Sequence, residues 1–423
     1  MAVRFKNAES YVNGKMVRGD LFFDFVSSLP SSCSVDASSI AVFPGFADVH
    51  VHLREPGFSY KETIKQGSLA SAAGGYTHVC SMPNLKPVPD SKENIKVQLD
   101  IIEKDAVIGV HPYGSITVGQ LGNELADLEG LKNMGAIAFS DDGRGVQDED
   151  MMYRAMTRAR ELGMMIVAHC EVNSELKGGY IHDGWYAKAN GHRGINSASE
   201  WKQIERDIKL ADKTGCSYHV CHISTKESVA LIRDAKRSGV DITCETAPHY
   251  ILLCDENMKE DARFKMNPPL RARDDMEAIL EGVLDGTIDM IATDHAPHSK
   301  EEKTRGLEKS AMGVSGIECA FPVLYHNLVK KNILPLEKLV ELMSINPKKR
   351  FGIKDEGGLC IYDLSEEYEI CGESFISMGK YTPFEGARVT GRCLATRYNG
   401  NFVYVNPKLA NMLANMPANM IEE

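Results

Sequence analysis

Several segments of the chain end in side chains that can bind a metal ion. His50 and His52 close one apolar run, and alternate residues of a strand point to the same face, so the two imidazoles project together. His169, His222 and Asp294 each close another apolar run. Because imidazole nitrogens and carboxylate oxygens are ligands that suit zinc, these run ends predict a metal site.

The candidate ligands outnumber the three protein ligands of one open catalytic zinc site. A further pair of acids, Asp141 and Asp142, follows the apolar run 137–139, and one of the two is a natural bridging ligand. A turn or a helix cap is the alternative interpretation of this Asp-Asp-Gly segment. Two metal ions close together can activate water and polarise a carbonyl, so the excess of ligands predicts a two-metal site.

These residues lie in a regular alternation of strand-like and helical segments. After the strand that ends at His50, apolar runs occur near 77–82, 107–116, 136–140, 164–169, 217–222, 241–247 and 288–294. Segments with helical periodicity lie between most of them, at 148–162, 198–214, 225–238 and 273–284. Eight strands with intervening helices predict a (β/α)8 TIM barrel, which brings the ends of all strands to one face. A doubly wound open sheet is the alternative, but no Gly-rich phosphate loop opens a helix.

The two ends of the chain have a different character. Residues 1–43 and 351–423 contain short strands and turns, with Asn13-Gly14 as a hairpin signal. We expect the two ends to pair into one small β-rich module beside a metal-dependent barrel of residues 44–350, with a tail at the end of the chain. Helices are also predicted at 317–331 and 336–344, the second ended by Asn346-Pro347.

Composition restricts the partners and the cellular location. The 423 residues include 48 basic and 59 acidic side chains, a net charge of −11, which argues against nucleic-acid binding. An anionic substrate would therefore need a local basic pocket. The eleven cysteines form no CxxC pair and most lie in apolar strands, so we expect reduced thiols. No apolar run reaches the ~18 residues of a membrane span, and the start of the chain lacks a signal-peptide core, so no membrane association and a cytoplasmic location are expected.

Four motifs carry a resemblance to a known family. They are His50-Val51-His52-Leu53-Arg54-Glu55-Pro56-Gly57, Met82-Pro83-Asn84, Asn267-Pro268-Pro269-Leu270-Arg271 and Ala292-Thr293-Asp294-His295-Ala296-Pro297-His298. Together they resemble the dihydroorotases of the bacterial type I branch of the amidohydrolase superfamily. The resemblance extends across the barrel to residues 382–386.

The resemblance implies a role for each candidate residue. His50 and His52 would bind one zinc ion, His169 and His222 the other, and two zinc ions per subunit would be the cofactor. Asp142, preferred over Asp141 by its spacing to His169, would bridge them in place of the carboxylated lysine of many amidohydrolases. Asp294 would be both a ligand and the general acid/base. The residues implied in substrate binding are His52, Arg54, Asn84, Asn267 and His298, with Met312 and Gly313 contributing backbone contacts.

The reaction implied is the reversible cyclisation of N-carbamoyl-L-aspartate to L-dihydroorotate in pyrimidine synthesis. Arg54 lies two residues beyond His52, so on a continuing strand it would face the same cavity and clamp the carboxylate of the substrate. Two alternatives are a hydantoinase- or allantoinase-type hydrolase and an inactive homologue that scaffolds aspartate transcarbamoylase. The family also suggests a homodimer or a complex with aspartate transcarbamoylase. The loop 299–316 is either a substrate lid or a solvated surface loop.

Overall fold

The computed structural model describes residues 2–25, 32–354, 357–414 and 421–422. Its strands are β1 (Ala2–Val12), β2 (Lys15–Asp24), β3 (Ser32–Asp36), β4 (Ile40–Pro44), β5 (Phe46–Val51), β6 (Tyr76–Ser81), β7 (Gly109–Pro112), β8 (Ile166–Ala168), β9 (Ile181–His182), β10 (Gly194–Ile195), β11 (Tyr218–Val220), β12 (Ile242–Thr246), β13 (Met290–Ile291), β14 (Leu359–Glu369), β15 (Arg388–Tyr398), β16 (Asn401–Val405) and β17 (Ile421–Glu422).

The α-helices are α1 (Ile64–Ala73), α2 (Lys92–Asp105), α3 (Leu128–Met134), α4 (Glu149–Glu161), α5 (Asn173–Leu176), α6 (Trp185–Asn190), α7 (Ala198–Thr214), α8 (Lys226–Arg237), α9 (Pro248–Leu252), α10 (Arg273–Asp285), α11 (Lys300–Lys303), α12 (Gly306–Lys309), α13 (Ala320–Leu324), α14 (Leu336–Val340), α15 (Asn346–Phe351) and α16 (Pro407–Ala414). Two π-helical segments, Tyr325–Val329 and Glu341–Ile345, follow α13 and α14. Among the helices so described, none combines the length and apolar character that a membrane span needs.

The barrel consists of two parallel sheets, which isolated β-bridges join into a closed ring. Strands β5, β6 and β7 form one sheet, and β8, β11, β12 and β13 form the other. Phe139 connects them through parallel bridges to Gly114 and Ile166, and Val51 pairs with His295 to close the ring. The predicted fourth strand, 136–140, is therefore reduced to bridges at one residue. The closed ring confirms the predicted (β/α)8 barrel.

The two-residue period of the barrel strands also helps determine the direction in which the candidate ligands point. A buried cluster inside the barrel contains Met165 and Val167, which precede His169, and Ala292, which precedes Asp294. Alternate residues of a strand share a face, and His169 and Asp294 each come two residues after a residue of this core. The alternation that fills the barrel thus brings polar side chains to its C-terminal end.

Cap residues explain where the helices of the outer layer begin and end. The side chain of Thr225 accepts the N–H of Ser228 at the start of α8, and Asp148 accepts that of Met151 at the start of α4. Helix α7 ends at Gly215, whose φ of 65° lies in the left-handed region that glycine adopts easily. Short connections follow, and each returns the chain to the next strand.

The two ends of the chain pair into one sheet, as predicted for the β-rich module. The strand order is β16-β15-β14-β4-β1-β3-β17, with β2 on β1. Antiparallel pairing of β4 with β14, in which Phe43 lies opposite Cys360, joins the N-terminal part to the C-terminal part. The expected hairpin connects β1 to β2. The boundaries proposed after residues 43 and 350 stay predictions, and residues 415–420 and 423 of the predicted tail lie outside the described residues.

The predicted end of the helix 336–344 is wrong. Helical structure runs on through the π-helical segment Glu341–Ile345 into α15 and stops at Gly352, with a φ of 65°. Pro347 lies in the first turn of α15. Proline is tolerated there because the first N–H groups of a helix have no partner within it.

Two acids of the barrel hold the segment 376–378 of the C-terminal part. Glu62 accepts the hydroxyl of Ser377, and Glu318 accepts the backbone N–H groups of Ile376 and Ser377 at 2.8 and 3.0 Å. Burial raises the pKa of Glu318 to about 7. This contact fastens the β-rich module to the barrel away from the candidate ligands.

Candidate metal centre

The candidate metal ligands lie together at the C-terminal ends of the barrel strands. They form two groups in which the possible ligand atoms lie within 4.8 Å of one another. The first group is His50, His52 and Asp142, and the second is Asp142, His169 and His222. All five residues are buried. Asp142 belongs to both groups, which is the position a bridging ligand would occupy.

The Asp142 carboxylate faces all four imidazoles. Its Oδ2 lies 3.5 Å from His52 Nε2. Its Oδ1 lies 3.3 Å from His50 Nε2, 3.5 Å from His169 Nδ1 and 3.7 Å from His222 Nε2. Burial by itself raises the pKa of Asp142, but the charge of His50 and the contact with His169 outweigh it and hold that pKa well below its usual range.

Two buried polar atoms at the centre of the cluster lack a hydrogen-bond partner among the described residues. His50 Nε2 and Asp142 Oδ1 are buried, and neither has a hydrogen-bond partner within the described part of the chain. Buried polar atoms of native proteins are nearly always satisfied. Imidazole nitrogens and carboxylate oxygens are also the donors that zinc and related divalent ions accept. The residues therefore fit a bound metal ion.

Asp141, the other candidate bridge, is engaged elsewhere. Its Oδ1 accepts the N–H groups of Ile116 and Thr117 at 2.8 and 3.2 Å, and its Oδ2 accepts the Thr117 hydroxyl. Burial raises the pKa of Asp141 to about 6. Asp141 thus anchors the loop after β7, and the geometry favours Asp142 as the residue that faces the imidazoles.

Asp294 enters the cluster beside the first group. Its Oδ1 lies 3.0 Å from His52 Nε2 and 3.6 Å from His50 Nε2. The residue before it, Thr293, is fixed by Asp48 of β5, whose carboxylate accepts the backbone N–H and the hydroxyl of Thr293. Asp48 therefore ties the strand end that carries His50 to the strand end that carries Asp294.

Arg54 reaches the site by a route that strand alternation does not predict. Strand β5 ends at Val51, and Arg54 has a φ of 60°, in the left-handed region. Its Nε donates to Pro297 O at 3.1 Å, and its Nη2 lies 3.3 Å from His298 Nε2. The side chain is buried, and no ion pair found between described residues includes it. A guanidinium so placed is a candidate partner for an anionic ligand.

His298 lies beside this guanidinium. Its Nδ1 is 3.0 Å from Glu302 Oε2 and its Nε2 is 2.8 Å from Met312 O. Burial and the charges of Arg54 and Lys61 lower the pKa of His298 below its usual range. Both ring nitrogens are thus held by neighbours, Nδ1 by Glu302 and Nε2 by Met312 O.

The two asparagines implied in substrate binding each contact a neighbour of the cluster. Asn84 Oδ1 lies 2.9 Å from His52 Nδ1, so the amide oxygen accepts a hydrogen bond from this imidazole and the NH2 group points elsewhere. Asn267 Nδ2 donates to Glu171 Oε1 at 2.8 Å, and Glu171 Oε2 lies 3.8 Å from His169 Nε2. Asn84 is therefore positioned by a candidate metal ligand, and Asn267 by an acid that lies beside one.

The segment 311–313 packs against His298. Gly313 has a φ of 137°, and a Cβ atom there would lie 2.7 Å from Ala296 O, so the position requires glycine. The Gly313 N–H donates to Lys265 O at 3.0 Å. The buried Lys303 donates to Ala311 O and Gly313 O at 3.0 and 2.7 Å. These contacts bind the end of the loop 299–316 to the barrel, and closure of that loop as a lid stays a prediction.

Sequence analysis missed three acids that contact candidate ligands, namely Glu245, Asp48 and Glu171. Glu245 Oε1 lies 2.6 Å from His50 Nδ1, and Asp48 accepts the His50 N–H at 3.0 Å. Glu245 and Asp48 are ionisable residues within predicted apolar strands. Because a buried charge needs a partner, that position was a signal that each binds a functional neighbour.

Solved structures with the same fold place the chain in a class. An L-hydantoinase (dihydropyrimidinase) from Arthrobacter aurescens matches with a TM-score of 0.83 and 23% identity over 95% of this chain and 96% of that chain. A dihydropyrimidinase from Brevibacillus agri matches with a TM-score of 0.79 and 22% identity over 96% and 95%. These identities speak for the fold alone. The barrel and its buried ligand cluster define the class, a (β/α)8 barrel protein with a candidate metal centre at the C-terminal ends of its strands.

Sequence comparison narrows this class. A family model described as "Dihydro-orotase-like" matches residues 40–228. The dihydroorotase of Bacillus cytotoxicus is 50% identical over 378 residues, 88% of each chain. The dihydroorotase of Bacillus cereus is 47% identical over 418 residues, 95% of this chain and 97% of the relative. The chain belongs to the dihydroorotase family, and the resemblance found in the sequence motifs is confirmed.

Proposed function

We propose that this enzyme catalyses the reversible closure of N-carbamoyl-L-aspartate to L-dihydroorotate in pyrimidine synthesis. The observation that carries the proposal is the buried guanidinium of Arg54, which forms no ion pair with a carboxylate among the described residues. Both ligands of the reaction have a carboxylate beside the atoms that react. A buried cation without an anionic partner favours such a ligand, because burial makes an unpaired charge costly.

The candidate ligands would hold two zinc ions in each chain. His50 and His52 would hold the first, His169 and His222 the second, and Asp142 would bridge them. Asp294 adjoins the first group and would complete it. When bound, such ions lower the pKa of water and polarise a carbonyl group.

Asp294 would transfer the proton of the reaction. In ring opening its carboxylate takes a proton from the attacking water and delivers it to the ring nitrogen that leaves, and in closure it runs the same path backwards. The tie between Asp48 and Thr293 supports this role, because it fixes the backbone next to Asp294. Closure consumes a proton, so the equilibrium should favour the ring as the pH falls.

Arg54, Asn84, Asn267 and His298 would orient the carboxylated ring. Arg54 presents a fork of N–H groups that matches a carboxylate. Asn84 supports this interpretation, because its oxygen is engaged by His52 and its NH2 group is left to donate. The end of the loop 299–316, with Met312 and Gly313, would contribute backbone contacts and exclude water from the ring.

A hydantoinase- or allantoinase-type activity is the competing function. Its support is the shared fold of the solved hydantoinases, which at 23% identity does not extend to the substrate. Simple hydantoins lack the carboxylate that Arg54 would bind. An inactive scaffold for aspartate transcarbamoylase is a weaker alternative, because all candidate ligands are present and clustered.

The cellular setting is part of the proposal. We place the enzyme in the cytoplasm, supported by the free thiols of the cysteines described in the structure. A homodimer, or a complex with aspartate transcarbamoylase, rests on the resemblance alone. Sedimentation of the purified chain with and without the transcarbamoylase distinguishes these assemblies from a monomer.

A substrate panel tests the proposed activity. The purified protein is supplied with L-dihydroorotate, dihydrouracil, hydantoin and allantoin, and ring opening is measured for each. We expect kcat/KM to be highest for dihydroorotate, by at least about 100-fold over dihydrouracil, as two charged hydrogen bonds of about 1.5 kcal/mol or more to the carboxylate would give. A preference for hydantoin or allantoin would contradict the proposal.

A further inference from the structure

Glu245 is a buried carboxylate on a barrel strand, with 1% of its surface exposed. It belongs to β12 (Ile242–Thr246), a barrel strand that carries none of the predicted metal ligands or catalytic residues. Burial of a carboxylate is costly unless hydrogen bonds and opposite charges compensate it. Its contacts therefore indicate what the acid does.

The first contact orients His50. Glu245 Oε1 lies 2.6 Å from His50 Nδ1 and accepts a hydrogen bond from the Nδ1–H group. With the proton held on Nδ1, the lone pair of His50 is on Nε2, the atom that lies 3.3 Å from Asp142 Oδ1. A carboxylate that binds the outer nitrogen of an imidazole in this way fixes both its tautomer and its ring orientation.

The second contact holds the ligand on a different strand. The same Oε1 accepts the backbone N–H of His222 at 3.3 Å. His222 has a φ of 31°, in the left-handed region that residues other than glycine rarely adopt. The hydrogen bond from this strained backbone to Glu245 helps keep His222 in the orientation that turns its Nε2 towards Asp142.

The remaining oxygen is engaged as well. Glu245 Oε2 lies 3.2 Å from His219 Nε2, and His219 Nδ1 lies 2.8 Å from Thr243 Oγ1. His219 is fully buried and lies in β11, three residues before His222. Thr243, His219 and Glu245 thus form a chain of contacts that ends at two candidate ligands.

A direct role as a metal ligand is the rival explanation, since His50, Cys221 and Glu245 form a third group of possible ligand atoms. The distance from Glu245 Oε1 to His50 Nδ1 argues against it. Two atoms bound to one tetrahedral zinc at about 2.0 Å stand roughly 3.3 Å apart. The observed 2.6 Å is the length of a hydrogen bond.

We propose that Glu245 is a positioning residue that braces the metal centre across two strands. It holds His50 of the first ligand group and His222 of the second, and it is itself held by His219. The inference rests on the proposed metal centre. It adds that a residue outside the ligand set determines how tightly both halves of the centre bind their ions.

The test is the zinc affinity of metal-stripped full-length protein, measured by competition with a chromophoric chelator. Glu245→Gln keeps the shape of the side chain but exchanges one oxygen for an NH2 group. Glu245→Asp keeps the charge but withdraws both oxygens by one methylene, so it cannot reach both His50 and His222. We expect each variant to bind zinc about 10- to 100-fold more weakly than wild type at both positions.

Glu318→Gln is the matched control, because Glu318 also accepts two hydrogen bonds but contacts no candidate ligand. It should alter thermal stability and leave zinc affinity unchanged. Glu245→Asp keeps the proposal testable if Glu245→Gln does not fold. Wild-type zinc affinity in Glu245→Asp would overturn the positioning role. The role would also be overturned if the wild-type protein bound three zinc ions and the Glu245 variants only two, because Glu245 would then be a ligand. Failure of the wild-type protein to bind zinc would instead overturn the proposed metal centre.

Discussion

Replacing Arg54 with methionine should remove the preference for a carboxylated ring. Methionine fills a similar volume but has no N–H group and no charge. The Nε bond to Pro297 O, at 3.1 Å, is lost with the guanidinium, and we expect this to cost about 1 kcal/mol of folding stability. Among the described residues, no candidate metal ligand forms a hydrogen bond with Arg54, so the metal content should stay at the wild-type level.

The effect on catalysis follows from the hydrogen bonds that remain available. A guanidinium has five N–H groups. One is bound to Pro297 O and another faces His298 Nε2, which leaves a fork for a carboxylate. A charged hydrogen bond is worth about 1.5–3 kcal/mol, and each 1.4 kcal/mol is tenfold. Loss of one or two such bonds should lower kcat/KM for dihydroorotate by about 10- to 1,000-fold.

The assay compares dihydroorotate with dihydrouracil, which lacks the carboxylate, on wild type and variant. Dihydrouracil should be a poor substrate for both proteins. Lys61→Met is the matched control, because Lys61 is a neighbouring cation whose charge is already paired with Glu302 Oε1 at 2.9 Å. That variant should keep the preference for dihydroorotate. An unchanged preference in folded, metal-loaded Arg54→Met would refute the carboxylate clamp.

Three further perturbations test other parts of the site. Asp294→Asn should retain at least one metal ion and lose about 10²–10⁴-fold in turnover, because an amide cannot shuttle a proton; near-normal turnover would remove it from the mechanism. Asp142→Ala should weaken metal binding at both positions, whereas Asp141→Ala should mainly lower the stability of the fold. Reconstitution of the wild-type protein with metal should not require bicarbonate. A bicarbonate requirement, or a larger loss of metal in Asp141→Ala than in Asp142→Ala, would show that Asp142 is not the bridging ligand. Burial raises the pKa of Glu318 to about 7, against about 4.3 unfolded, so the folded state holds a proton between these values and loses stability as the pH rises through them. Between pH 5 and pH 8 the free energy of unfolding should therefore fall by about 2–3 kcal/mol more in the wild type than in Glu318→Gln. Parallel plots of this free energy against pH for the two proteins would contradict the prediction.

The barrel could be predicted because its strands repeat a simple period. Core residues such as Val167 and Ala292 alternate along their strands, and the same period leads to His169 and Asp294. Asp142 was harder to choose from sequence, since Asp141 stands beside it with the same chemistry. Only the contacts of Asp141 with the loop after β7 separate the two.

Other features depended on contacts between distant segments. The position of Arg54 follows from a left-handed backbone after the end of β5. Strand alternation therefore predicted that Arg54 lies near the candidate site, but the strand does not continue to this residue. Glu245 joins His50 to His222 across strands that are far apart in the chain. Pro347 did not end its helix, because the π-helical segment before it places the proline in a first turn. Such contacts cannot be predicted from local sequence patterns, because they depend on how distant segments pack together.

Zinc titration of metal-stripped protein, with closure of N-carbamoyl-L-aspartate as the readout, tests the central claim most directly. The account predicts no closure without metal and full activity at two zinc ions per chain, since Asp142 faces His50 and His52 on one side and His169 and His222 on the other. Wild-type activity in the stripped protein, or full activity at one ion with no gain from a second, would contradict it.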